Sequence, residues 1–138
     1  QKGYDMLLEA WHLIAKNFPD WTLKIVGDGE DKQILQDNIN AMGLKNVVLA
    51  PATKNPKEEY LNADFFVLSS RYEGLGLVLL EAANMSLPLV SFDCDNGPRE
   101  IIQEGVNGFL VKANDTQQLA ESIQRLIVIC ANVCQIML

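Results

Sequence analysis

Phe65-Phe66-Val67-Leu68-Ser69-Ser70-Arg71-Tyr72-Glu73-Gly74-Leu75-Gly76-Leu77-Val78-Leu79-Leu80-Glu81-Ala82 is the stretch on which the fold turns. It opens on four apolar residues in a row, the pattern of a strand covered on both faces. A loop with two glycines follows, and from Leu77 onward the residues read as a helix. A buried strand leading through glycine into a helix is half of a parallel crossover unit. Gly74 and Gly76 let backbone approach a ligand closely. The helix start beyond them presents N–H groups that carry partial positive charge and have no intrahelical acceptor. Together they can seat a diphosphate. Glu73 and Glu81 bracket this seat, and a carboxylate accepts two hydrogen bonds at once, which suits a vicinal diol. A Gly-x-Gly is a weak signal and Glu is common, so by themselves these residues also fit a solvated loop and a helix surface.

Outward from this stretch the pattern repeats. Leu7, Trp11, Ile14 and Phe18 recur at helical spacing and predict a helix over 4–17, closed by Pro19. Residues 22–26 read as a strand that stops at Gly27-Asp28-Gly29. Ile34, Leu35, Ile39 and Met42 share one face of a second helix, which Gly43 ends. Residues 47–49 form the next expected strand, 51–56 a loop and 57–62 a short helix. Downstream come a helix over 77–83, a strand over 89–92, a helix over 98–103 with Pro98 in its first turn, and a strand over 109–111. Asp115 with Gln118 three residues on resembles a capping box and opens the final helix. Alternation at spacings too long for hairpins predicts an α/β fold, a Rossmann-like three-layer sandwich with a parallel sheet, as one domain over 1–138. In such sheets ligands bind beyond the carboxyl ends of the strands, where the glycines at 27–29, 74–76 and 97 should converge.

Bulk properties narrow the classes. A chain of 138 residues is about one domain, and 49% hydrophobic with 21% charged residues is a globular composition. A formal net charge of −7 argues against a nucleic-acid partner, whose phosphates need a basic footprint. Cys94, Cys130 and Cys134 are an odd number without a CxxC pair, which suits a reducing compartment and buried apolar thiols. No signal peptide is evident, and the apolar tail from Leu126 to Leu138, about 13 residues, is too short to span a bilayer. The chain starts Gln1-Lys2-Gly3 and runs straight into a helix, so it reads as an excised fragment.

Across most of its length the sequence resembles the large retaining glycosyltransferase family called group 1, or family 4, which has the GT-B fold. Glu73 and Glu81 carry the spacing of its E-x7-E motif, with Gly-Leu-Gly-Leu close to the usual Gly-Phe-Gly-Leu. Lys2-Gly3-Tyr4-Asp5, Ile25-Val26-Gly27-Asp28-Gly29, Ala63-Asp64, Leu87-Pro88, Gly97-Pro98-Arg99-Glu100-Ile101-Ile102 and Gly105-Val106-Asn107-Gly108-Phe109-Leu110-Val111 keep the family's order. The resemblance implies the C-terminal, donor-binding half of a GT-B enzyme that moves a sugar from a nucleoside diphosphate, most often uridine-linked, to an acceptor hydroxyl with retention.

By the same resemblance Glu81 would bind the ribose hydroxyls, Glu73 would contact the donor sugar near the reacting centre, and Lys2 would neutralise the departing diphosphate. The backbone of Gly74, Leu75, Gly76 and Leu77 would hold diphosphate and sugar hydroxyls, and Thr53 lies in the loop that would hold the base. The family's companion arginine and the domain's first strand would precede residue 1. No metal or other cofactor is implied, because lysine and helix dipole take that place. A glycan or lipid-linked acceptor would bind a separate N-terminal domain, so the chain alone is expected to hold donor without transferring sugar. Polysaccharide or glycolipid synthesis in the cytoplasm, with the full-length protein at the inner face of the membrane as one arrangement, fits the family.

Some residues point elsewhere. Asp93-Cys94-Asp95 looks like the DxD signature of metal-dependent transferases but is read as non-metal here, His12 as a surface or structural histidine, and Arg99 as a surface or interface residue. Asn84-Met85-Ser86 stands where the family has small residues and a glycine, and residues 127–138 are almost uncharged where a charged amphipathic helix is usual. Two other classes stay open: a sugar-nucleotide epimerase of the same architecture, and a non-catalytic nucleotide-binding module.

Overall fold

A computed structural model describes residues 3–27, 31–69, 77–93, 97–130 and 135–137, the last three as backbone. The first helix, α1 (Tyr4–Ile14), tightens into one 3₁₀ turn over Ala15–Asn17 before Pro19. Then come β1 (Thr22–Val26), α2 (Lys32–Met42), β2 (Val47–Ala50), α3 (Pro56–Leu61) and β3 (Phe65–Leu68). They are followed by α4 (Leu77–Asn84), β4 (Leu89–Phe92), α5 (Pro98–Ile101), β5 (Gly108–Val111), α6 (Thr116–Ile129) and β6 (Gln135–Met137). All strand pairs are parallel, and the sheet order is β2-β1-β6-β3-β4-β5.

The continuous apolar run of β3 divides between two cores. Phe65 and Val67 face α1, α2 and α6, against Leu7, Trp11, Leu35, Leu119 and Ile123. Phe66 and Leu68 face the opposite layer, with Tyr60, Leu79, Ala82 and Ile102. Successive side chains of a strand point to opposite faces, so only apolar residues at every position can fill both layers. This is the expected three-layer sandwich. Among the described residues no helix is long and apolar enough to cross a membrane.

Local signals explain the element ends. Gly43 takes φ 67 after α2, and Leu44 N–H reaches back to Ile39 C=O at 3.1 Å, the left-handed helix stop expected there. Asp115 caps α6 by accepting from Gln118 N–H at 2.9 Å. Gln118 does not return the bond as a capping box would; its side chain accepts from Lys112 N–H at 2.7 Å and pins the turn before the helix. The helix expected over 98–103 stops at Ile101. Asn107 causes this, accepting from Gln103 N–H at 2.7 Å and donating to Ile101 C=O at 2.9 Å, which holds the chain away from another helical turn.

The apolar tail, to which the sequence pattern assigned no element, ends in a strand. The helix closes at Ile129, and residues 135–137 enter the sheet between β1 and β3, with Thr22 opposite Gln135, Lys24 opposite Met137 and Phe66 opposite Met137. Strands β1 and β3 are not neighbours in the sheet, so their inner edges would otherwise carry buried N–H and C=O groups without ladder partners. Residues 135–137 supply those partners. Doubly wound sheets commonly place the first strand of the fold at this central position; here the last one holds it.

Candidate functional site

Parallel register brings the ends of five strands to one edge. Val26 lies opposite Ala50, and Phe92 opposite Val111. The edge is continued by Gly27 N–H to Ala50 C=O at 2.9 Å and Asp93 N–H to Val111 C=O at 2.7 Å. Loops 51–55 and 112–115 leave from it, as does the chain beyond Gly27, Ser69 and Asp93.

Glu81 sits one turn into α4 with its side chain exposed. Its Oε2 accepts a hydrogen bond from the Tyr60 phenol of α3 at 3.0 Å. Tyr60 is buried, with its ring against Phe66 of β3 at 6.0 Å between centroids. Burial, and then the hydrogen bond and charge of Glu81, hold the phenol well above its ordinary range, so it stays a protonated donor. The next residue back, Glu59, pairs with Lys24 of β1, the Nζ lying 2.7 Å from Oε2 and 3.1 Å from Oε1. Helix α3 is thereby tied to the sheet on one side and to α4 on the other.

Thr53 lies exposed in the β2–α3 loop, and its Oγ1 accepts from Asn55 N–H at 3.0 Å, a turn that leads into Pro56. Leu77 is the first residue of α4, at the helix start where the diphosphate seat was expected. Lys2, Glu73, Gly74, Leu75 and Gly76 lie outside the described residues, as do Asp28, Gly29, Cys94 and Asp95. Gly3, however, locates the start of the chain. It has φ 69, and a Cβ there would stand 1.8 Å from Ser69 O. The backbone next to Lys2 therefore lies directly against the end of β3, from which residues 70–76 depart.

The other candidates resolve simply. Asp93 Oδ1 accepts from Arg99 Nε at 2.6 Å, an exposed ion pair of small energetic weight. His12 is exposed on α1. Cys130 is a free, half-buried thiol just beyond α6, raised in pKa first by burial and then by Asp64. Tyr60 and Gly3 are the two residues of this edge that sequence reasoning did not assign. Tyr60 is one residue of the short helix expected over 57–62, and Gly3 stands in a family motif that names no contact.

Comparison with known proteins gives the chain its class. The family of glycosyl transferases group 1 matches residues 1–129. An uncharacterized glycosyltransferase of Haemophilus influenzae is 36% identical over 127 residues, covering 91% of this chain and 36% of the relative. The amylovoran biosynthesis glycosyltransferase AmsD of Erwinia amylovora is 36% identical over 128 residues, covering 92% and 35%. A crystal structure of S. aureus TarM, in a variant bound to fondaparinux, alpha-GlcNAc-glycerol and UDP, superposes with a TM-score of 0.89 at 30% identity, covering 94% of this chain and 27% of that one. The fold is that of the C-terminal Rossmann-like domain of GT-B enzymes. The chain belongs to the group 1 glycosyltransferases, and it spans about a third of the length of the curated relatives it matches.

Proposed function

We propose that this chain is the donor site of an enzyme that transfers a sugar from a nucleoside diphosphate, uridine-linked as in the ligand of TarM, to a glycan or lipid-linked hydroxyl with retention. The observation that carries the reading is the exposed carboxylate of Glu81, held one turn into α4 by a buried phenol. A carboxylate with one oxygen anchored keeps lone pairs for a pair of vicinal hydroxyls, and the ribose offers such a pair. The start of α4 at Leu77 supplies N–H groups and positive partial charge to the diphosphate. Glu73 orients the sugar, Lys2 neutralises the leaving diphosphate together with the Gly74–Leu77 backbone, and the loop containing Thr53 meets the base. The approach of Gly3 to Ser69 supports that division, since it starts the two segments carrying Lys2 and Glu73 from one point.

Charge on the leaving diphosphate is then met by lysine and backbone dipoles, and the reaction needs no metal. Acceptor binding belongs to a second domain, and the synthesis takes place on the cytoplasmic side, at the membrane face where the acceptor is lipid-linked. Calorimetric titration with nucleoside diphosphates tests the reading. Losing hydrogen bonds to a charged group costs about 1.5–3 kcal/mol, so Glu81→Ala should weaken the preferred diphosphate roughly 10- to 150-fold. Unchanged affinity would remove Glu81 from the donor site.

A further inference from the structure

Tyr60 and Glu81 come from different helices, 21 residues apart, and meet through a hydrogen bond of 3.0 Å. The phenol is buried, while the carboxylate it holds is exposed. A long exposed carboxylate would otherwise sample several rotamers and lose that freedom on binding a ligand. The phenol ring lies against Phe66, and its helix is anchored by the Lys24–Glu59 ion pair and opens at Pro56 directly after the loop of Thr53. The loop read as meeting the base and the carboxylate read as meeting the ribose are thus joined through one short helix.

We propose that Tyr60 is a positioning residue for nucleotide recognition, its phenol holding the Glu81 carboxylate in the rotamer that receives the ribose diol. This rests on the reading of Glu81 as the ribose carboxylate. The phenol touches no reacting atom. It lowers the ordering that the nucleotide must impose on Glu81, and it leaves Oε1 and the second lone pair of Oε2 for the two ribose hydroxyls. The expected signature is therefore a loss of discrimination for the diol, beyond any general weakening.

Uridine, guanosine and adenosine diphosphates, each with its 2′,3′-dideoxy counterpart, are titrated by ligand-observed NMR into the 138-residue chain and its variants. The original chain should prefer the ribonucleotide. Tyr60→Phe keeps the ring and removes only the hydroxyl; it should weaken the ribonucleotide roughly 3- to 10-fold and leave the dideoxy form unchanged. In a Glu81→Gln background the same substitution should have no further effect on the preference. A variant that keeps the full preference, or that weakens both forms equally, overturns the positioning role. So does one that unfolds at the assay temperature, because the phenol would then serve the fold. If Tyr60→Phe keeps the preference while Glu81→Gln abolishes it, the ribose reading stands and this inference falls. If Glu81→Gln keeps it, or no diphosphate binds, the ribose reading falls and the inference with it.

Discussion

At the residue scale Gly3 is tightly constrained. Its φ of 69 is disfavoured for any residue with a Cβ, and that Cβ would meet the backbone oxygen of Ser69 rather than a side chain able to turn aside. Backbone strain and overpacking of this kind together cost about 2–4 kcal/mol. Gly3→Ala should therefore lower stability by about that amount in urea unfolding, and a change under 0.5 kcal/mol would show that the contact is absent in solution. The sequence offered Gly3 as one letter of a family motif, and nothing local to it names Ser69. The same holds for Tyr60. A tyrosine on the apolar side of a short helix reads as core, and only the packing of α3 against α4 reveals where its hydroxyl goes. Glu73 and Glu81, by contrast, were singled out by their spacing in a family motif, and the packing adds the phenol that Glu81 accepts from.

At the element scale, ends were set by local chemistry and were mostly legible. Gly43 and Asp115 stop and start their helices as expected. The end of α4 shows the limit of that legibility. Its closing bonds, Ser86 N–H to Ala83 C=O at 2.9 Å and Leu87 N–H to Ala82 C=O at 3.2 Å, place Ser86 where a left-handed residue ends a helix. Ser86 has φ 62 there. The serine was visible as a departure from the family's glycine, but the sign of its effect follows only from the dihedral. A Cβ in this conformation costs about 1–2 kcal/mol, while glycine loses about 0.4–1 kcal/mol through unfolded-chain entropy, so the conformational term is larger. Ser86→Gly should stabilise by about 0.5–1 kcal/mol and raise Tm by about 2–4 °C in a thermal melt. No rise, or a fall, would contradict the geometry. The early stop of α5 was not legible, because it depends on Asn107 from the following turn.

For the whole molecule, alternation of strands and helices made the three layers legible, while the place of the tail was not. Three residues are too few for a period to show. Their position follows from a demand made elsewhere, by the inner edges of β1 and β3. Deleting residues 131–138 should leave those edges open, lowering both Tm and the denaturant m-value and raising the tendency to associate. A truncated chain that unfolds with the same midpoint and slope would show that the tail contributes no strand.

That central strand also sets when the sheet can close. Residues Thr22 and Gln135 are neighbours across the ladder, on the order of a hundred residues apart along the chain. β1 with β2, and β3 with β4 and β5, can each assemble from nearer segments, so two partial sheets can form early on either side of an open seam. Sealing the seam is a long-range event with a large loop-closure entropy. Refolding of the 138-residue chain should then show protection of amides in β4 and β5 before those on the inner edges of β1 and β3. The edge proposed to hold the donor, which draws on both partial sheets, would be the last part of the molecule to acquire its shape.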